Sequence, residues 1–392
     1  MSSARRRVTP AERRARLAER HLLAAGTKAT DTTEVVDALV ALHATDPATV
    51  YLSVASRLPG ATREEIEDAL YRPDLLLRTT CMRQTLFVVG RDLAPAVIAA
   101  SGRAAAAQRT KGLLRIIRES EVGDEQWLER VGHDVIRVLR ERGSATTAEL
   151  AEAVPGLEQR FALSPGKKYE SSSTVAAFLL FILAAEGRIM RGPRRGGWTS
   201  NMHAWTPGPE FEDFPETEGR AELARRWLAS FGPGTVDDLK WWTGWTVTAT
   251  RAALADVGAV EVELDEGVGY VLPEDLEPPR AEPEAAAMLL PGLDPTPMGW
   301  RHRDFYLDPD HRPALFDRMG NIGPTVWWKG RIIGGWAQRS DGEIAWRLLP
   351  GVDPGQEAHA AISAAAEQLT DWLGDARFTP SYRTPLEREL AG

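Results

Sequence analysis

One cysteine, Cys81, stands in a chain of 392 residues. A lone thiol excludes an internal disulfide framework and suits a reducing compartment, so a cytoplasmic setting is expected. Cationic charge is not in surplus either: 47 Lys and Arg stand against 56 Asp and Glu, a formal net charge of −9. That balance weighs against indiscriminate binding of nucleic acid, which needs a cationic excess. The longest apolar run, Val175 to Ala185, falls short of the roughly 20 residues that span a bilayer. It reads as a buried helix, and no membrane association is expected. The arginine-rich N-terminus has no apolar segment behind it and does not read as a secretory signal. Catalytic signatures are scarce as well. There is no His-Glu-x-x-His, no Cys-x-x-Cys and no phosphate-binding glycine loop with lysine, and of 7 histidines only His302 and His311 lie near each other. Neither a metal nor a cofactor is expected.

What the chain does contain is a repeat. The stretches from Gly143 to Leu150 and from Gly232 to Leu239 each follow an arginine-bearing amphipathic helix, place a Thr (Thr146, Thr235) at a helix N-cap and set an acid (Glu149, Asp238) three residues on. That is a capping box or a close cousin of one. Each copy then runs through an apolar helix to Gly187-Arg188-Ile189 or Gly258-Ala259-Val260 and into a hairpin-like stretch. Helix, turn, helix, hairpin is the winged-helix plan. The expected fold is α+β: a modified winged-helix region over 1–123, a second winged helix over 124–209 and a third over 210–275. A proline-bearing linker within Glu274 to Glu284 then leads to a small C-terminal β-barrel or sheet domain over 286–392, closed by a helix from Glu357 to Leu373, with the barrel as the expected form.

In the first region the pattern predicts helices over 10–25 and 33–42, with His43 at the end of the second. Asp46 can cap a following helix that starts at Pro47 and runs through Tyr51 and Val54, and Leu75 to Val89 reads as a hairpin. Arginines cluster at Arg5, Arg6, Arg7, Arg13, Arg14, Arg16 and Arg20, while acids concentrate near Glu210 to Glu222 and Glu261 to Glu284. Arg188, Arg191, Arg194 and Arg195 decorate the second hairpin, as phosphate contacts or as a solvated turn. Trp198 beside them is a candidate to stack on DNA or to pack beneath the hairpin. Arg83 and Thr85 could touch a DNA phosphate, with a cross-strand ion pair as the alternative for Arg83. Asp294 and Arg303 could face a cleft or form an internal salt bridge.

The segment Leu39-Val40-Ala41-Leu42-His43-Ala44-Thr45-Asp46-Pro47, running on to Ser56-Arg57-Leu58, resembles the winged-helix DNA glycosylase family typified by AlkZ and YcaQ. The likeness continues through Arg78 to Val89 and returns at Leu289 to Asp294 and at Gly323 to Trp336. It thus covers nearly the whole chain. The resemblance implies tandem winged helices and a C-terminal β-barrel in a C-shaped, DNA-gripping monomer that hydrolyses the N-glycosidic bond of an N7-alkylated or bulky purine in double-stranded DNA. It implies repair, or self-resistance to a DNA-alkylating natural product, without a cofactor. In that family two polar motif residues, commonly Gln and Gln or Gln and Asp, hold the attacking water; here they map onto His43 and Thr45, with Asp46 able to add negative charge. A second departure is Phe87, where many relatives carry His. The contrasting reading is a noncatalytic winged-helix DNA-binding protein or regulator, although such regulators usually pair as dimers on spaced half-sites.

Overall fold

Thr9 caps the first helix, α1 (Pro10–Arg20), by accepting from the Glu12 amide, and Pro10 supplies a pre-set first turn. The computed structural model describes residues 5–163, 166–168, 170–279 and 284–392. Within it the N-terminal arginines are mostly neutralised inside the molecule. Arg5 pairs with Glu261, Arg7 with Glu263 and Asp265, and Arg13 with Glu266, while Arg16 and Arg20 reach Asp275. The basic run of the sequence is thus matched to the acidic run that follows residue 260.

Helix α2 (Thr32–Ala38) stops at Ala38 rather than near 42, because Val40 takes a left-handed φ of 63°, a conformation that ends a helix. The chain then enters β1 (Leu42–His43). His43 therefore lies on a strand and not at a helix end. Next come α3 (Pro47–Ala55), with Asp46 as its cap, and α4 (Arg63–Leu70), opened by a Thr62–Glu65 capping box. Strands β2 (Leu76–Thr80) and β3 (Leu86–Gly90) form the expected hairpin, and β1 joins the far side of β3.

Helix α5 (Ala94–Val97) passes through a π turn into α6 (Arg103–Glu119), followed by α7 (Glu125–Arg142) and α8 (Thr147–Ala153). A small hairpin, β4 (Arg160–Leu163) with β5 (Ser171–Thr174), flanks the basic loop Ser164 to Glu170, part of which lies outside the described residues. The apolar run forms α9 (Val175–Ala185), buried among Leu139, Leu150 and Leu113, and β6 (Ile189–Arg194) and β7 (His203–Pro207) make the second large hairpin. Helix α10 (Glu216–Phe231) leads into β8 (Gly234–Thr235), α11 (Val236–Thr243), α12 (Val247–Asp256) and the hairpin β9 (Val260–Leu264) with β10 (Gly267–Val271).

One local arrangement recurs three times. A short extended piece just before a capped helix pairs with the second strand of the hairpin that follows it: Leu42 and His43 with Val88 and Phe87, Ala145 with Trp205, and Gly234 and Thr235 with Tyr270 and Gly269. Both capping boxes anticipated from the sequence, Thr146 with Glu149 and Thr235 with Asp238, are formed.

The C-terminal region departs from the closed barrel expected. Strands β11 (Ala287–Leu290), β12 (Thr325–Trp328), β13 (Arg331–Gln338) and β14 (Ile344–Leu348) form an open antiparallel sheet in the order β11-β12-β13-β14, with α13 (Arg312–Leu315) in the connection from β11 to β12. Helices cover it instead of further strands. Ala358, Ile362 and Leu373 of α14 (Gln356–Leu373) pack with Leu289, Val326 and Trp336, and Leu386 of α15 (Pro385–Ala391) lies so close to Gly335 that a Cβ there would come within 2.6 Å of it. Residues 280–283 of the expected linker lie outside the described residues. Among the described residues no helix is long and apolar enough to cross a membrane.

Candidate active site

Helix α3 and the turn that ends it carry a polar stripe through an otherwise apolar sequence. Thr49, Ser53 and Arg57 recur every fourth residue, share one face and are all buried, Arg57 completely. The C-terminal region receives that stripe. Thr49 Oγ1 donates to the Gly292 carbonyl at 2.7 Å, Ser53 Oγ donates to Asp294 Oδ2 at 2.7 Å, and Arg57 grips both Asp294 oxygens at 2.8 and 2.9 Å. Arg57 also donates to Thr296 Oγ1 and to the His21 carbonyl. Asp294 therefore forms an internal ion pair. Despite full burial, Arg57 and the hydrogen bonds from Ser53 and the Thr296 amide hold its carboxyl below the usual range.

The start of α3 is pinned from the same side. Asp46 Oδ1 accepts from the Ala48 amide at 3.0 Å and Oδ2 from the Ser381 amide at 2.6 Å. Both oxygens are thus engaged by backbone, one as helix cap and one as tether to the C-terminal segment.

Just before this cap, His43 and Thr45 keep polar atoms without partners. His43 is 6 % exposed, and its Nδ1 and the Thr45 hydroxyl are buried with no hydrogen-bond partner among the described residues. Buried polar atoms are normally satisfied, and these two orphans flank a single residue, Ala44. Opposite His43 across the ladder stands Phe87, its ring centroid 5.0 Å from the imidazole. The two departures from the family pattern are therefore direct neighbours. Burial, with the charge of Arg83 second, lowers the His43 pKa from 6.5 to about 3, so the ring is neutral at physiological pH. His21 is lowered to about 3 by burial first and Arg57 second.

These two imidazoles give the stability a sign against pH. The unfolded chain takes up protons near pH 6.5 while the fold refuses them until about pH 3, so stability falls as pH falls through that window. We expect the urea midpoint to hold above about pH 7 and to decline between about pH 6.5 and 5, above the range in which carboxylates titrate. A midpoint constant over that interval would contradict neutral, buried histidines.

The remaining candidates scatter around this centre. Arg83, in the left-handed region with φ 50°, turns the β2–β3 loop and lies 4.4 Å over Trp241, which Arg303 also covers at 4.8 Å. It forms no cross-strand ion pair among the described residues. Thr85 donates to the Met82 carbonyl at 2.9 Å, closing the same loop. Arg188 is exposed and pairs with Glu186. Arg191 lies over Trp205, Arg194 donates to the Ser200 carbonyl, and Arg195 is exposed. Trp198 is half-buried and packs inward, 5.5 Å from Tyr51 and 5.9 Å from Trp372, so it ties the second hairpin to α3 and α14. Trp198→Ala is expected to cost about 1–3 kcal/mol, the scale for a partly buried aromatic, and to expose the Gly192 to Ser200 tip to faster proteolysis. Cleavage at the unaltered rate would contradict that tie. None of five clefts of about 610 to 900 Å³ is lined by His43, Thr45 or Asp46. Among the described residues no group of His, Cys, Asp and Glu could hold a metal ion.

Sequence reasoning missed Arg57, Ser53 and Thr49 as a unit, although their four-residue spacing in an apolar helix was the available signal. A mixed helix and sheet protein with an orphaned His–Thr pair at the head of an anchored helix is the class the structure defines. Residues 36–372 match the model of the AlkZ-like DNA glycosylases, and the chain belongs to that family. It is 30% identical over 163 residues to an interstrand DNA cross-link repair glycosylase of Streptomyces sahachiroi, a match covering 39% of this chain and 44% of that relative. The solved structure of the Streptomyces sahachiroi DNA glycosylase AlkZ shares the fold, with a TM-score of 0.71 at 20% identity, covering 95% of this chain and 98% of that one.

Proposed function

We propose that this protein is a monofunctional DNA glycosylase that hydrolyses the N-glycosidic bond of an N7-alkylated or bulky purine in duplex DNA, in repair or in self-resistance to a DNA-alkylating compound. The observation that carries this reading is the pair of unpartnered buried atoms, His43 Nδ1 and Thr45 Oγ1, at the motif of a glycosylase family. A water held between them attacks the anomeric carbon as the bond to the base nitrogen breaks. The alkylated base leaves neutral, because its positive charge is discharged by the bonding electrons, and the water's proton passes through His43 to solvent. An imidazole this reluctant to keep a proton orients water more than it stores charge, and a cationic base needs little help to leave. Asp46, its oxygens already committed, fixes the head of α3 and sets negative charge near the sugar cation.

The three recurrent units are read as winged helices over 1–123, 124–209 and 210–275, followed by the C-terminal region over 286–392. They bind the duplex as a cytoplasmic monomer. Arg83, Arg188, Arg191, Arg194 and Arg195 supply phosphate contacts, Thr85 shapes the loop that carries Arg83, and Trp198 buttresses the second hairpin from within. None of the five clefts is lined by His43, which suits a lesion too large to flip into a tight base pocket. The test is release of free base from duplexes carrying N7-methylguanine or a bulky N7 adduct. Release from either supports the reading. Sequence-specific binding of undamaged DNA, with no release from either, would overturn it in favour of a noncatalytic regulator.

A further inference from the structure

A cleft of about 610 Å³ runs between the β2–β3 and β6–β7 hairpins, lined by Tyr71, Arg78, Arg91 and Arg191 among others. Arg78 is only 5% exposed. Among the described residues its guanidinium meets one hydrogen-bond partner, the Tyr71 hydroxyl at 3.0 Å, and no carboxylate. The Nε atoms of Arg191 and Arg194 are buried and unpartnered, and neither side chain forms an ion pair among the described residues. Asp74, the acid in the cleft lining, is held by Arg72 at 2.6 Å. Arg191 and Arg194 lie close enough to Arg78 that their charges, after burial, disfavour its protonated form. Trp198, four residues past Arg194 on the same hairpin, packs 5.5 Å from Tyr51 of α3, so the cluster sits beside the helix headed by the candidate active site.

Buried charge is costly unless an opposite charge meets it. Here, among the described residues, the fold gathers three guanidiniums, one buried and two half-buried, without a counterion. Planar guanidinium groups match the oxygens of a phosphate in number and direction, and the Tyr71 hydroxyl, which accepts from Arg78, keeps its own hydrogen to donate. We propose that Arg78, Arg191 and Arg194, with the Tyr71 hydroxyl, form a phosphate-binding site, and that its occupant is a phosphodiester of the DNA strand passing the head of α3. The choice of DNA as the source rests on the glycosylase reading; the phosphate chemistry does not. The site also explains why the second hairpin is fastened to α3 through Trp198, since its arginines must be held in register with Arg78.

The test measures binding of a short undamaged duplex over a range of salt concentrations for the wild type, Arg78→Met and Arg191→Gln. In parallel, thermal unfolding is followed in inorganic phosphate and in chloride at matched ionic strength. The expected result is a phosphate-dependent rise in Tm for the wild type that both variants lose, and a slope of log affinity against log salt shallower by about 1 in each variant. Arg191→Gln, at a half-buried position, keeps the test informative if Arg78→Met does not fold. An unchanged slope in the folded variants would overturn the proposal. A phosphate effect on Tm with an unchanged slope would assign the cleft to free phosphate and overturn the DNA source. A shallower slope alongside absent base release would support the site while defeating the catalytic reading, so the two failures are distinguishable.

Discussion

Asp294→Ala is expected to destabilise the protein by about 3–5 kcal/mol, the range for removing one partner of a fully buried ion pair. The size follows from what would be left behind. Arg57 has no exposed side-chain surface, and its two bonds to Asp294 would vanish while its charge stayed inside. Ser53 would lose its acceptor and the Thr296 amide its cap. Few proteins have more than 5–15 kcal/mol to lose, so the variant should unfold at a much lower urea concentration. Asp294→Asn restores shape and one acceptor but not the charge and should recover only part of the loss. A midpoint shift worth under about 1 kcal/mol for Asp294→Ala would show that the Arg57 network does not hold α3.

The second large effect concerns chemistry. His43→Ala is expected to slow base release by about 10²-fold or more, the usual scale for losing a group that handles the proton of an attacking water. His43→Gln should retain more activity than the alanine variant, because an amide can still hold a water by hydrogen bonds. Because the imidazole is lowered to about 3, protonation of His43 should leave the single-turnover rate level from about pH 8 down to 5. A rate that dropped with an apparent pKa near 6.5 would place the imidazole in water rather than behind Phe87.

Much of the fold was legible because local chemistry and tertiary structure agree. Thr146 with Glu149 and Thr235 with Asp238 act as caps whatever surrounds them, and the Asp46–Pro47 start of α3 is of the same kind. The first recurrent unit was harder to see. Its pre-cap segment reads Leu-His-Ala-Thr with no glycine before it and no acid three residues past the cap, and the apolar stretch Leu39 to Leu42 looks helical in sequence although Val40 turns left-handed. The barrel expectation failed because short apolar strands look alike whether strands or helices cover them, and here α14 and α15 take the covering role. The pairing of His43 with Phe87 depends on strand register, which a change of one residue would reverse. The N-terminal arginines illustrate a further limit. Their acidic partners lie some two hundred and fifty positions away, as Arg7 with Glu263 shows.

The most direct test is the single-turnover release of modified base from a duplex carrying one N7-alkylated guanine, comparing the wild-type protein with His43→Ala of verified stability and DNA affinity. The expected result is release by the wild type and a rate lower by about 10²-fold or more in the variant. Equal rates in the two proteins would remove His43 from the reaction and contradict the site described here.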